Sequence, residues 1–223
     1  MAQLIIAEFH CHSIYSPDSL FKISSILETC REKGIDKIAI TDHDQVHGAL
    51  EAKSKDPERV IVGEEIQTTE GEILAYFISD LVPGGLSPMK TIEALKKQSA
   101  FISIAHPFDP MRGSTWQKGT LEVLLPFIDA IEVFNARCVK PAFNERADEF
   151  AEAHQLLRMV GSDAHSAVEL GRAVLQLPDF KNADELRSAL GAASFDGKLS
   201  GSWVHLISRY AKFAKQIRGS VLK

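Results

Sequence analysis

Cysteine is scarce and unpatterned: Cys11, Cys30 and Cys138 are the three in 223 residues. An odd number at unrelated spacings argues against a disulfide framework and against a cysteine-based zinc site, and it suits a reducing compartment. Long apolar runs are missing too, since nothing approaches the roughly 18 residues that a membrane-crossing helix needs. The opening MAQLIIAEFHCH lacks the basic flank and extended apolar core of a signal peptide, so a cytoplasmic location is expected. No low-complexity linker divides the chain, and its length favours one large domain with a well-buried core over two small ones.

What is present is ordinary in amount and uneven in placement. A hydrophobic content of 45% and a charged content of 25% exclude disorder and fibrous repeats. Lys198, Arg209, Lys212, Lys215, Arg218 and Lys223 give the last 26 residues +6 with no acid. The first 197 residues therefore carry −11 of the net −5. A carboxylate surplus there suits a metal-binding body, although solvated helix surfaces also produce one.

Short β-like runs alternate with helical patterns. LIIAEFH, DKIAIT, RVIVGEEI, EILAYFI, FISIAH, DAIEVFN, LRMVGSD and GRAVLQL read as strands, the third and fourth joined by the hairpin-like turn TTEG. Helices are expected from about Ser24 to Lys33, over SPMKTIEALKKQ, near Leu121, over AFNERADEFAEAH, and from about Ala183 to Leu190. This order is α/β with a largely parallel sheet, open or closed into a barrel. Residues 1–200 form the expected barrel domain. Residues 201–223 form a basic amphipathic helix whose apolar face, from Trp203 through Ile217, is expected to pack on the barrel. Binding of a membrane surface, nucleic acid or another subunit is the alternative use of such a helix.

The residues that can ligate metal stand at the C-terminal ends of these strands. His10 and His12 end the first, Asp42 and His43 the second, Glu65 the third, His106 the fifth, and Asp163 with His165 the seventh. Parallel α/β folds build their sites at that edge, and a closed sheet would bring the ends to one mouth. Side chains alternate along a strand, so His10 and His12 share a face that Cys11 does not. Each motif has a plain reading of its own: a half-buried histidine, a helix cap at Asp42, a surface acid at Glu65, or a turn at GSDAH. Five such coincidences at five strand ends favour a nitrogen and oxygen site for zinc, manganese or iron. His47, His154 and His205 fall outside these motifs.

In the order HCHSIYSPD, ITDHD, VGEEI, IAHPFD and VGSDAH, the chain resembles the PHP (polymerase and histidinol phosphatase) superfamily, and its small stand-alone metal-dependent phosphoesterases most of all. The resemblance spans roughly residues 4 to 190. It implies a distorted (β/α)7-type barrel with two or three divalent metals at the C-terminal ends of the strands. The implied ligands are His10, His12, Asp18, His43, Glu65, His106, Asp163 and His165, with Glu65 the natural bridge. Asp42, His43 and His165 are the implied catalytic positions, Asp42 by orienting a ligand. One departure stands out: many relatives carry a further histidine between the glutamate and HP motifs, and Glu72 occupies its neighbourhood here.

Two cations about 3.5–4 Å apart can activate a water and neutralise phosphoryl oxygens, so no protein nucleophile is required. Arg112, Arg137 and Arg172 each follow a strand end or ligand motif, where a guanidinium can grip phosphate; Asn135 ends a strand and can contact substrate or cap a turn. Phe108 and Trp116 lie on a long polar loop and serve either base stacking or packing. The expected activity is hydrolysis of a small phosphorylated substrate, with nucleotides included. Nucleic-acid end trimming, C–N bond hydrolysis and a purely structural metal module are the alternatives.

Overall fold

The computed structural model describes residues 3–112 and 116–221. Seven strands carry the barrel: β1 (Leu4–Glu8), β2 (Lys37–Ile40), β3 (Val60–Gln67), β4 (Glu72–Tyr76), β5 (Phe101–Ile104), β6 (Ala130–Asn135) and β7 (Leu157–Gly161). β1, β2 and β3 pair in parallel, as do β5, β6 and β7. β4 runs antiparallel to both β3 and β5. The reversal follows from the tight 68–71 turn, where the Thr68 hydroxyl accepts from Gly71 N at 3.1 Å. It carries the start of β4, and so Glu72, to the same edge as the ends of the parallel strands.

Closure occurs just beyond the strands. Cys11 bridges Ala164 in parallel, with His12 N donating to Ala164 O at 2.8 Å and Ala164 N donating to His10 O at 3.1 Å. The continuation of β1 is thereby paired with that of β7, and the barrel meets itself at the level of the ligand motifs. β8 (Ala173–Pro178) lies antiparallel on β1, and β9 (Ser194–Gly197) extends the sheet beyond it. β9 is largely exposed, so it has no apolar alternation by which sequence reading would find it.

The helices cover the outside: α1 (Ile23–Lys33), α2 (His47–Lys55), α3 (Pro88–Lys97), α4 (Lys118–Leu124), α5 (Pro141–Ala153) and α6 (Ala183–Leu190). α1 buries Ile23, Ile26, Leu27 and Cys30, a three-to-four spacing, and stops at Gly34, whose φ of 66° suits glycine. α6 starts on Asn182, whose side chain accepts from Glu185 N at 2.9 Å. Barrel and helices enclose one apolar core that includes Phe9, Ile40, Ile66, Tyr76, Phe101 and Met159.

α7 (Val204–Val221) departs from expectation. Val204 and Ala211 are buried, whereas Trp203, Leu206, Tyr210, Phe213 and Ile217 are between 48% and 65% exposed. The large residues of the expected apolar stripe thus face outward, and the side on the barrel carries Val204 and Ala211, with His205, Ile207, Ser208, Ala214 and Lys215 half-buried.

Candidate metal centre

β1 and β7 set the floor of the site. Gly161, the last residue of β7, is needed there: a Cβ would stand 2.3 Å from His10 Cβ and 2.7 Å from Glu132 Oε1. Two of the converging residues, His106 and Asp163, adopt positive φ of 22° and 51°, a cost that backbone geometry tolerates where surrounding contacts fix a site. Closure at Cys11–Ala164 brings His10 and His12 to Asp163 and His165, and a second parallel bridge joins His43 to Glu65.

The eight residues of the implied ligand set all lie in one cluster. Glu65 is its hub: His10 Nε2 and His12 Nε2 are each 3.3 Å from Oε2, His43 Nδ1 is 3.1 Å from it, and His106 Nε2 is 3.0 Å from Oε1. Asp18 Oδ2 lies 3.4 Å from His43 Nε2 and 3.2 Å from His165 Nε2. Asp163 Oδ1 is 3.2 Å from His12 Nε2. Glu72 joins them, 3.7 Å from His43 Nδ1 and 3.4 Å from His106 Nε2. Three ligand groups can be drawn within 4.8 Å limits: His12–Asp18–His43–His165, His10–His12–Asp163 and His43–Glu65–Glu72.

Charge explains why such a cluster fits cations. Burial disfavours ionisation of Glu65, yet the neighbouring His10 and His43 hold its carboxyl well below the usual range. Burial likewise opposes charge on His43, but Glu65 and Asp18 raise it to about 10. In the protein alone, protons bind where the carboxylates concentrate. Divalent cations would replace them, because only neutral imidazole ligates. His10 Nε2, both ring nitrogens of His12 and Glu65 Oε2 are buried without a well-formed hydrogen bond, close to one another but not satisfied by one another, which points to the same conclusion. The donor set therefore fits divalent metals.

The surrounding residues hold these side chains in place. Glu132, in the middle of β6, lies 2.9 Å from His10 Nδ1 and accepts from His106 N at 2.9 Å and Asn135 Nδ2 at 3.0 Å. It fixes the His10 tautomer so that Nε2 faces the cluster. Sequence reading did not assign it, although an acid inside the apolar run AIEVF is a signal. Glu8, also missed, sits fully buried in β1; burial raises it to about 7 against hydrogen bonds from Ser162, His10 N and Gly171 N. Asp42 accepts from Ser13 N at 2.5 Å and Ser13 Oγ at 2.6 Å. It thus braces the loop that follows His12, and no described contact joins it to a histidine ring.

The expected phosphate contacts divide. Arg112 reaches the cluster, donating from Nη2 to Asp163 Oδ2 at 2.6 Å and to Asn135 Oδ1 at 3.1 Å. Arg137 is nearly fully buried; it contacts the His165 ring at 2.7 Å, pairs with Glu169 at 3.2 Å and donates to Val204 O and Ser208 Oγ of α7. Its donors are occupied in positioning. Arg172 donates to Leu199 O at 2.9 Å, and no described contact connects it with the cluster. Phe108 packs on Phe150 beneath Arg146, and Trp116 is buried over Gly71, so both are packing residues here. His47 is exposed and His154 lies against Phe150, the rings tilted at 46° with 4.3 Å between centroids.

Comparison with known proteins agrees with this geometry. The PHP domain family model matches residues 8–111, and the PHP-associated model matches residues 141–195. Two uncharacterized proteins of Methanocaldococcus jannaschii are similar in sequence. MJ1587 is 36% identical over 143 residues, covering 58% of this chain and 81% of its own length. MJ0417 is 33% identical over 175 residues, covering 77% and 70%. Among solved structures, a two-domain Bacteroides vulgatus protein containing a predicted PHP-like metal-dependent phosphoesterase superposes with a TM-score of 0.72 at 19% identity, over 88% of this chain and 66% of that one. The lesion-specific endonuclease PfuEndoQ of Pyrococcus furiosus gives 0.62 at 17%, over 87% and 57%. With the family model matching the stretch from Glu8 through His106, and with the barrel closing around that stretch, the chain belongs to the PHP family.

Proposed function

We propose that the protein is a metal-dependent phosphoesterase acting on a small phosphorylated compound, nucleotides among the candidates. The observation that carries this reading is the convergence of five histidines and four carboxylates at one barrel mouth with Arg112 beside them. His10, His12, Asp18, His43, Glu65, Glu72, His106, Asp163 and His165 would hold the cations. Bound divalent metals acidify water and neutralise phosphoryl oxygens during in-line displacement.

The chain's own contribution is position and charge. Glu132 and Asn135 hold His10, His106 and Asp163 in register, so the ligand atoms need little rearrangement. Arg112 has 17% of its side chain exposed and stands beside Asp163, at the right depth to meet a phosphate oxygen. Asp42 and Ser13 keep the loop between His12 and Asp18 closed against the cluster. The fold likeness to an endonuclease supports a second reading, trimming of nucleic-acid ends, while the acidic body opposes a long nucleic-acid track.

The test is phosphate release from nucleotides, sugar phosphates and short oligonucleotides, with protein reloaded separately with manganese, zinc or iron. Turnover that needs metal and disappears in His10→Ala is the expected result. No release from any substrate by protein that retains metal would overturn the reading in favour of C–N hydrolysis or a structural metal module.

A further inference from the structure

α7 lies outside both family-model matches, and although Val204 and Ala211 are buried it leaves its large apolar residues Trp203, Leu206, Tyr210, Phe213 and Ile217 exposed. A surface helix ordinarily buries such residues. Several polar residues of the helix instead face what lies underneath. His205, Ser208, Lys212 and Lys215 recur at spacings of three, four and three, which puts them on one face of the helix. That face lies over the rim of the metal centre.

Two fastenings hold it there. Arg137, in contact with the His165 ring, donates to Val204 O at 2.9 Å and to Ser208 Oγ at 2.8 Å. Lys215 Nζ donates to Ile14 O at 2.6 Å and to Ser16 O, in the loop that presents Asp18. Between these fastenings Lys212 extends to the site: its Nζ is 3.9 Å from Asp18 Oδ2, beyond hydrogen-bond reach, with 57% of the side chain exposed. An ammonium with three donors thus stands at the mouth near a carboxylate it does not bond. At the start of the helix, His205 Nε2 is buried without a partner.

We propose that α7 is the substrate-facing wall of the metal centre and that Lys212 binds the phosphate group of the substrate, determining which phosphorylated compounds are accepted. The proposal rests on the phosphoesterase reading and deepens it. Charge supports it: Asp18, Glu65, Glu72 and Asp163 make the site acidic, and a phosphate dianion entering it needs cations at the rim as well as beneath. Arg112 supplies one from the 109–112 loop, and Lys212 supplies another from the opposite chain end. Lysine suits the role because it is a compact point charge on a flexible stem. Being largely exposed, it can be changed without disturbing the fold.

The experiment uses the full chain loaded with metal and compares wild type with Lys212→Ala and Lys212→Arg. Inorganic phosphate is titrated by calorimetry, metal content is measured by mass spectrometry, and steady-state kinetics are recorded on p-nitrophenyl phosphate. The expected result for Lys212→Ala is unchanged metal content, phosphate affinity weakened roughly tenfold or more, and KM raised similarly with a smaller change in kcat, as follows from losing one charged hydrogen bond. Lys212→Arg should recover most of the loss. If wild type turns over substrate and Lys212→Ala binds phosphate equally well, the proposal fails and the phosphoesterase reading stands. If wild type with its metal neither binds phosphate nor hydrolyses any phosphate ester, both fail.

Discussion

At the scale of single residues, Glu65 is the most consequential side chain. Four histidines lie within 3.3 Å of its two oxygens, so it would share with them any metal the cluster binds. Glu65→Gln keeps the shape and removes the charge; metal content should fall and metal-dependent hydrolysis should drop by more than about 100-fold, as loss of a ligand commonly produces. Glu132 acts one layer out. Glu132→Gln should weaken metal affinity roughly 10- to 100-fold while the far-ultraviolet spectrum stays native. A titration of metal-free protein with manganese checks this, and unaltered affinity would assign Glu132 to packing alone. The thiols provide a contrasting case. Burial raises Cys30 to about 12 from an ordinary 9.0. Only the thiolate is nucleophilic, so native protein at pH 8 should resist alkylation by iodoacetamide and react fully once unfolded. The sign for stability follows: the unfolded thiol ionises first, so this group stabilises the fold below about pH 9, and that contribution is lost as pH rises toward 12.

At the scale of elements, β4 and β7 decide the site. β4 runs backwards, and that reversal places Glu72 at the mouth, where it faces His43 and His106. β7 ends on a glycine because His10 and Glu132 occupy the space a side chain would need. Gly161→Ala must push either β7 or His10 aside. The expected outcome is a loss of about 1–3 kcal/mol from overpacking together with a loss of bound metal. Urea unfolding and metal analysis on the same sample test it; a stable variant with full metal content would show that β7 yields at no cost.

At the scale of the whole molecule, a metal held by His10, His12 and Asp163 would tie the first strand to the seventh and should act as a staple. A ligand that binds only the folded state adds about 2.7 kcal/mol at one hundred times its dissociation constant, which for a chain of this size corresponds to roughly 5–10 °C in melting temperature. Chelation should lower the melting temperature by that order, and His10→Ala protein should melt at the same temperature with or without chelator. The outward stripe on α7 makes a separate prediction. Leu206 and Phe213 are 63% and 60% exposed, so replacing both with Gln should change the stability of the isolated chain by less than about 0.5 kcal/mol. A larger loss that depends on protein concentration would show the stripe to be covered in solution.

Much of this was legible without coordinates. Alternation of apolar runs and helical patterns specified an α/β chain, and the recurrence of HCH, TDH, GEE, AHP and SDAH at strand ends marked residues that the fold gathers into one cluster, because parallel strands converge at that edge. Other features depended on contacts between distant segments. Glu132 and Glu8 are ordinary acids until closure of the barrel buries them against His10, His106 and Ser162. Arg112 and Arg137 look equivalent in sequence, yet one meets Asp163 at the rim and the other is spent on Glu169 and α7. The terminal helix shows the limit most clearly. Its amphipathic period is local and readable, but which side faces the body depends on what the body presents, and here Ser208 and Lys215 find partners on the body while the large apolar residues stay exposed.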